Sequence, residues 1–204
     1  MSDARVLVLY PEAFACQSKF ERKLDFLLSR LPAYQLLYQA DAQGFIKQYA
    51  AKHAACEQVQ QSSALAEATH LLIFTDGEEF QVEIAQAKQL KLALRIVPVK
   101  ITRVININKH PQPELLQAHN YEFIGRGSRW GNPYSLFDAS PAEAPDTREE
   151  AIHKYQYDFQ RNYLRFTQKD TEQLAGKRLG CYCKPLACHG DVLADYLNAL
   201  DDGL

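Results

Sequence analysis

Over its first hundred residues the chain alternates apolar runs of strand length with segments whose apolar residues recur at helical spacing. Arg5-Val6-Leu7-Val8-Leu9-Tyr10 reads as a strand. Behind it, Ser18 and Glu21 are spaced as a capping box, and Phe20, Leu24, Leu27, Leu28 and Leu31 fall on one helix face. Tyr34 to Tyr38 predicts a second strand, and Asp41 a helix cap ahead of Phe45, Ile46 and Tyr49. A helix around Ala64 to Ala68, a strand from His70 to Thr75, an Asp76-Gly77 turn, a helix from about Glu79 to Leu90 and a strand from Arg95 to Val99 continue the alternation. Strands and helices in this rhythm predict a parallel sheet with helices on both faces.

The rhythm stops at 106–120, where Pro111 and Pro113 mark a linker. The chain therefore divides into a first domain over 1–105 and a second over 121–204. In the second, a short strand at Tyr121 to Ile124 is followed by a connection of about twenty residues to Asp146, a length usually kept for function. Asp146-Thr147-Arg148-Glu149-Glu150 opens a long helix with two overlapping capping boxes, and Ile152, Tyr155, Phe159, Tyr163 and Phe166 share its apolar side. A short helix from Thr171 to Ala175, a buried strand from Arg178 to Tyr182 and a closing helix from Asp191 to Leu200 complete a small α+β domain.

Composition removes several classes of function. With 47% hydrophobic residues in 204, the chain can bury a core. No apolar run approaches the ~18 residues that would span a bilayer, and the N-terminus leads straight into a strand, so a cytoplasmic protein without a membrane partner is expected. Residues 1–110 hold 13 Lys and Arg against 11 Asp and Glu, and residues 111–204 hold 10 against 14. Neither half is basic enough for bulk nucleic-acid binding, so any nucleotide contact must be local. Five cysteines, three of them within eight residues, suit metal binding or thiol chemistry better than a disulfide framework.

Two constellations carry candidate chemistry. Gly125-Arg126-Gly127-Ser128-Arg129-Trp130-Gly131-Asn132-Pro133 interleaves arginines and an aromatic with glycines. Guanidinium forks and an amide suit phosphate, carboxylate or base edges, and Trp130 could stack on a base. In the plainer reading Trp130 anchors the loop and Asn132-Pro133 turns the chain. The second constellation is Cys181-x-Cys183-x4-Cys188-His189-Gly190-Asp191. Strand alternation puts Cys181 and Cys183 on one face, ~7 Å apart at the backbone. Three thiols and an imidazole are a zinc inventory, although neighbours Cys188 and His189 would point about 100° apart on a helix, which argues against a closed site. Two further readings stand beside it: an activated Cys188 thiolate with His189 and Asp191 as its proton-handling partners, or thiols that only pack. Arg148, a cation at a helix N-terminus, would be explained by an anion or acidic partner nearby, with a solvated surface arginine as the plainer reading.

Two stretches resemble known families. Arg5 to about Ile101 resembles the YspA-like branch of the SLOG superfamily, Rossmann-like domains that bind nucleotide-derived ligands and sometimes cleave N-glycosidic bonds. The family's Gly-Gly-Ala-Arg-Gly-Val-Asp turn is represented here by Gln39-Ala40-Asp41-Ala42-Gln43-Gly44-Phe45, and its Asp-Gly-x-x-x-Gly-Thr turn by Asp76-Gly77-Glu78-Glu79-Phe80-Gln81-Val82. Most glycines that would let amides close on a phosphate are absent, so this branch is degenerate here and its usual phosphate mode is expected to be lost. Tyr121 to Leu200 is similar to an uncharacterised domain family of bacteria and their viruses, with its Gly-Arg-Gly…Trp-Gly-Asn-Pro loop and its Cys-x-Cys-Lys-Pro…Cys-His-Gly-Asp motif both complete.

The resulting expectation is an α/β chain, a Rossmann-like parallel-sheet domain followed by a small α+β domain. The expected function is recognition or processing of a nucleotide-derived ligand or nucleobase in the second domain, with N-glycosidic cleavage or transfer as the chemistry the resemblance implies. Arg126 and Arg148 would hold the anionic part, Asn132 would bond the base or sugar, and Arg129, Trp130 and Lys184 would complete the binding set. His189, Asp191 and Cys188 would do the chemistry. Cys181, Cys183, Cys188 and His189 are the candidate metal ligands, with zinc as the candidate ion. The competing expectation is a non-catalytic protein- or nucleic-acid-binding module with a structural cysteine cluster.

Overall fold

The computed structural model describes residues 4–62, 65–108, 120–134 and 147–203. It contains two compact units, Met1–Lys100 with Ala199–Leu204, and Ile101–Asn198. The first is built from β1 (Ala4–Leu9), α1 (Gln17–Leu28), β2 (Tyr34–Tyr38), α2 (Phe45–Lys52), β3 (Cys56–Gln61), β4 (His70–Thr75), α3 (Gln81–Gln89) and β5 (Ala93–Pro98). Its five strands are all parallel, in the order β3-β2-β1-β4-β5. The continuous apolar runs read from the sequence are the three central strands, whose side chains are buried on both faces. On one face Leu7, Leu9, Leu37, Leu71 and Ile73 pack with Ile84 and Ala87 of α3. On the other, the rings of Tyr10, Phe14, Phe20, Phe45 and Phe74 pack against one another at 5.0–6.5 Å. Each such side chain contributes on the order of 1.5–3 kcal/mol by burial, so the two faces hold the unit together.

Local details depart from the sequence expectations where a distant partner competes. The Ser18–Glu21 capping box does not form. Helix α1 begins at Gln17 without a side-chain cap, Ser18 donates to Asp201, and Glu21 accepts from Gln17 and Lys52. The helix expected around residues 64–68 is a 3₁₀ turn, Leu65–Glu67, among the described residues.

The second unit contains β6 (Arg103–Asn106), β7 (Tyr121–Phe123), α4 (Arg148–Arg161), α5 (Gln168–Thr171), β8 (Arg178–Cys181) and α6 (His189–Ala199). A three-stranded parallel sheet runs in the order β6-β8-β7. Residues 109–119 of the expected linker, and 135–146 of the long connection, lie outside the described residues. The Thr147–Glu150 capping box opens α4 as expected; Asp146, from the overlapping box, is not among the described residues. Helix α4 stops at Asn162, which turns left-handed with φ 56°, so Tyr163 and Phe166 lie beyond the helix rather than on it. Phe166 is buried and Tyr163 exposed. The short helix starts earlier than expected because Thr167 and Asp170 form a capping box of their own. Tyr155, Phe159, Ile124, Leu174, Leu179, Leu193 and Leu197 form the core of this unit. Among the described residues no helix is long and apolar enough to cross a membrane.

Candidate functional site

The arginine–glycine loop is a tight structure in which several of the side chains singled out above are structural. Gly127 adopts φ +92°, and a Cβ at Gly131 would stand 2.8 Å from the Gly125 carbonyl oxygen, so both positions require glycine. Trp130 is 4% exposed. Its Nε1 donates to Glu122 at 3.0 Å, its carbonyl accepts from the buried Tyr155 hydroxyl at 2.9 Å, and its ring meets Phe166 edge-on. A ring so enclosed offers no face to a base; Trp130 fixes the loop to the core. Asn132 is likewise engaged: its Nδ2 donates to the Ala151 carbonyl at 3.1 Å and its Oδ1 accepts from the Tyr134 amide at 2.9 Å, tying the loop to α4.

The cysteine segment begins where β8 ends. Cys181 is the last residue of β8 and Cys183 lies beyond the strand, so the expected strand alternation does not apply to the pair; their sulfurs nonetheless stand 3.6 Å apart. Cys188 stands immediately before α6, whose first residue is His189. The two are therefore not both on a helix, and the 100° separation does not apply: Cys188 Sγ lies 3.7 Å from His189 Nδ1. His189 Nε2 is 2.9 Å from the Ile124 carbonyl oxygen. A carbonyl only accepts, so Nε2 carries the proton and Nδ1 turns its lone pair toward the sulfurs. The ligand atoms of Cys181, Cys188 and His189 all lie within 4.8 Å of one another, so among the described residues these three could hold a metal; Cys183, the fourth expected ligand, does not belong to that group. Asp191 secures the turn, accepting from the Cys188 amide at 2.9 Å and pairing with Lys184 at 2.6 Å.

The electrostatics follow from crowding and burial. The bond from the Cys188 thiol lowers the Cys181 thiol to about 5, while Cys188, which supplies that proton, is pushed far above its ordinary value. Burial raises Cys183 and lowers His189, which favours the neutral imidazole.

The two constellations meet. Arg126 and Asn132 from the loop, Arg148 from α4, and Cys181, Cys188 and His189 line one cavity of about 270 Å³. No carboxylate lines it among the described residues. Arg148, whose position called for an anionic partner, donates to the Ala187 carbonyl at 3.2 Å. Arg126 also borders a neighbouring groove of about 400 Å³, with Arg129, Arg165 and Tyr163. Arg129 faces that groove rather than the cavity, paired with Asp170 at 3.1 Å and lying 5.1 Å over the Trp130 ring. Lys184 and Asp191, bonded to each other, do not line the cavity. Sequence reasoning missed Arg165 and Tyr163, which carry no motif, and the Ile124 carbonyl, because a backbone acceptor leaves no signal in side-chain identity.

In the first unit, the sheet edge that serves similar folds as a phosphate site is filled by the chain itself. The Asp41 carboxylate accepts from the Ile46 and Lys47 amides of α2, each at 3.1 Å, and from the Tyr10 hydroxyl at 2.6 Å. Asp41 thus serves α2 as the sequence predicts, although Gly44, not Asp41, occupies the cap position. A carboxylate on these amides stands where a phosphate would bind.

Residues 105–199 match the family described as a domain of unknown function, DUF4326. A curated relative, the "Uncharacterized 12.4 kDa protein in nrdA-td intergenic region" of Enterobacteria phage T4, is 43% identical over 79 residues, covering 38% of this chain and 67% of the relative. No solved structure matches the chain. Residues 3–105, with the parallel sheet just described, match the minimal SLOG domain, and the chain therefore belongs to the minimal SLOG family, with a DUF4326 domain as its second half.

Proposed function

We propose that the second unit recognises an anionic, nucleotide-derived small molecule in the cavity between the arginine–glycine loop and the cysteine segment. The observation that carries this reading is a wall bearing Arg126 and Arg148 and, among the described residues, no carboxylate. At about 270 Å³ the cavity lies just below the ~300–1,000 Å³ range of ligand pockets, suited to a nucleobase or mononucleotide rather than a dinucleotide. Membership of the minimal SLOG family supports a nucleotide-related ligand in general. N-glycosidic cleavage or transfer is the chemistry suggested by the family resemblance, but it needs a group free to move a proton. His189 has Nε2 on Ile124 and Nδ1 on the sulfurs, and Asp191 is held by Lys184 and the Cys188 amide. Recognition is therefore the better-supported role.

Calorimetric and thermal-shift titration of the full chain against nucleobases, nucleosides, mononucleotides and ADP-ribose tests this. Mononucleotides should bind, and Arg126→Ala should weaken them about ten- to a hundredfold, the loss of one charged hydrogen bond. Unchanged binding by Arg126→Ala, or no binding of any nucleotide, would refute the reading; chromatographic release of free base would replace recognition with cleavage. A second reading rests on the groove holding Arg126, Arg129, Arg165 and the 70% exposed Tyr163, cations beside an aromatic that suit a single-stranded nucleic acid. Oligonucleotide binding that falls steeply with salt would favour it.

A further inference from the structure

We propose that Cys181, Cys183, Cys188 and His189 hold one zinc ion in a closed, four-ligand site. A tetrahedral zinc with bonds of ~2.3 Å to sulfur and ~2.0 Å to nitrogen sets its ligand atoms ~3.8 Å apart between sulfurs and ~3.5 Å apart between sulfur and nitrogen. The sulfurs of Cys181 and Cys183 stand 3.6 Å apart, and Cys188 Sγ stands 3.7 Å from His189 Nδ1. Cys181, Cys188 and His189 are mutually within 4.8 Å, and Cys183 adjoins this group through Cys181. Three donors thus surround one point at close to the spacing of a tetrahedron's edges, and rotation of the Cys183 side chain, whose sulfur is already 3.6 Å from that of Cys181, would bring in the fourth.

The surroundings fit the same ion. The proton on His189 Nε2 goes to the Ile124 carbonyl, the outer contact that orients a ligating imidazole and leaves Nδ1 for the metal. Three thiolates, one neutral imidazole and a divalent ion leave a net charge of −1, and that charge is met. Arg148 lines the same cavity as the three thiols, and the Gly190 amide donates to Cys188 Sγ at 3.4 Å. Soft thiolates with an imidazole in tetrahedral arrangement select zinc over harder divalent ions. With all four positions filled by protein, the ion has no vacant position for substrate. It clamps the end of β8 to the start of α6 and forms part of the cavity floor. The site stands independently of the ligand reading, so Arg126→Ala should retain zinc in full.

The test is elemental analysis of the untagged full chain after exhaustive dialysis, followed by replacement with cobalt(II). One zinc per chain is expected, together with the intense visible bands of four-coordinate cobalt and thiolate-to-cobalt charge transfer in the near ultraviolet. Serine at Cys181, Cys183 or Cys188 should weaken zinc by more than the ~10–100-fold that loss of an outer partner costs, whereas Cys16→Ser and Cys56→Ser should leave it unchanged. Should the cluster variants fail to fold, the cobalt spectrum of the unaltered chain decides alone. Zinc far below one per chain with no thiolate band would overturn the site, and Cys183→Ser binding zinc as tightly as the unaltered chain would overturn the four-ligand set.

Discussion

Replacing Asp41 with alanine should both loosen the first helix turn of α2 and open the edge that its carboxylate fills. Three donors converge on that carboxylate: the Ile46 and Lys47 amides at 3.1 Å and the Tyr10 hydroxyl at 2.6 Å. Loss of a carboxylate from a helix N-terminus costs roughly 0.5–2 kcal/mol. Tyr10 is 6% exposed, and a hydroxyl left without an acceptor there costs roughly 1–3 kcal/mol. The two losses share one side chain and are not independent, so about 2–3 kcal/mol is expected in denaturant unfolding of the full chain. A local assay isolates the cause. Amide hydrogen exchange at Ile46 and Lys47 should accelerate about thirtyfold for every 2 kcal/mol lost, at ~1.36 kcal/mol per decade. Asp41→Asn keeps one acceptor oxygen and should lose about half as much. A loss below ~0.5 kcal/mol in Asp41→Ala with unchanged exchange would refute the reasoning. So would AMP shifting the Ile46 and Lys47 amide resonances of the unaltered chain, since the carboxylate would then not be occupying the anion position.

Two further substitutions probe the framework of each unit. In the first unit Lys19, 5% exposed, meets both oxygens of Asp202 at 2.8 Å. Asp202→Ala should strand that ammonium and lower stability by about 2 kcal/mol, less than the ~3–5 of a fully enclosed pair because Asp202 is partly solvated; a change below ~0.5 kcal/mol in urea unfolding would refute it. In the second unit Gly131→Ala would press a methyl against the Gly125 carbonyl. The loop must shift, so nucleotide affinity should fall at least about tenfold while zinc content stays at one per chain; unaltered affinity would show that the loop does not shape the cavity.

Particular residues show how far the sequence carries. The central strands β1, β2 and β4 were legible because burial on both faces demands unbroken apolar runs, and Val6 to Leu9 and Leu71 to Phe74 are such runs. Strand β3, Cys-Glu-Gln-Val-Gln-Gln, was not legible: it is an edge strand, mostly exposed, held through backbone pairing to β2. The capping box at Thr147 was visible because both partners lie within one turn. That at Ser18 failed because Asp201, 183 residues away, took the hydroxyl. In the site, the sequence named both constellations and nearly every residue that meets at the cavity, since glycines, arginines and clustered thiols are chemical types that stand out locally. What each does was decided by contacts between segments far apart in the chain. Trp130 turned inward because Glu122, Tyr155 and Phe166 receive it. Cys188 and His189 converge instead of diverging because α6 starts one residue after Cys188 and the Ile124 carbonyl fixes the imidazole. Residue type and local spacing are written in the chain; which polar atoms are already satisfied, and which remain to meet a ligand or a metal, is settled only when distant segments pack.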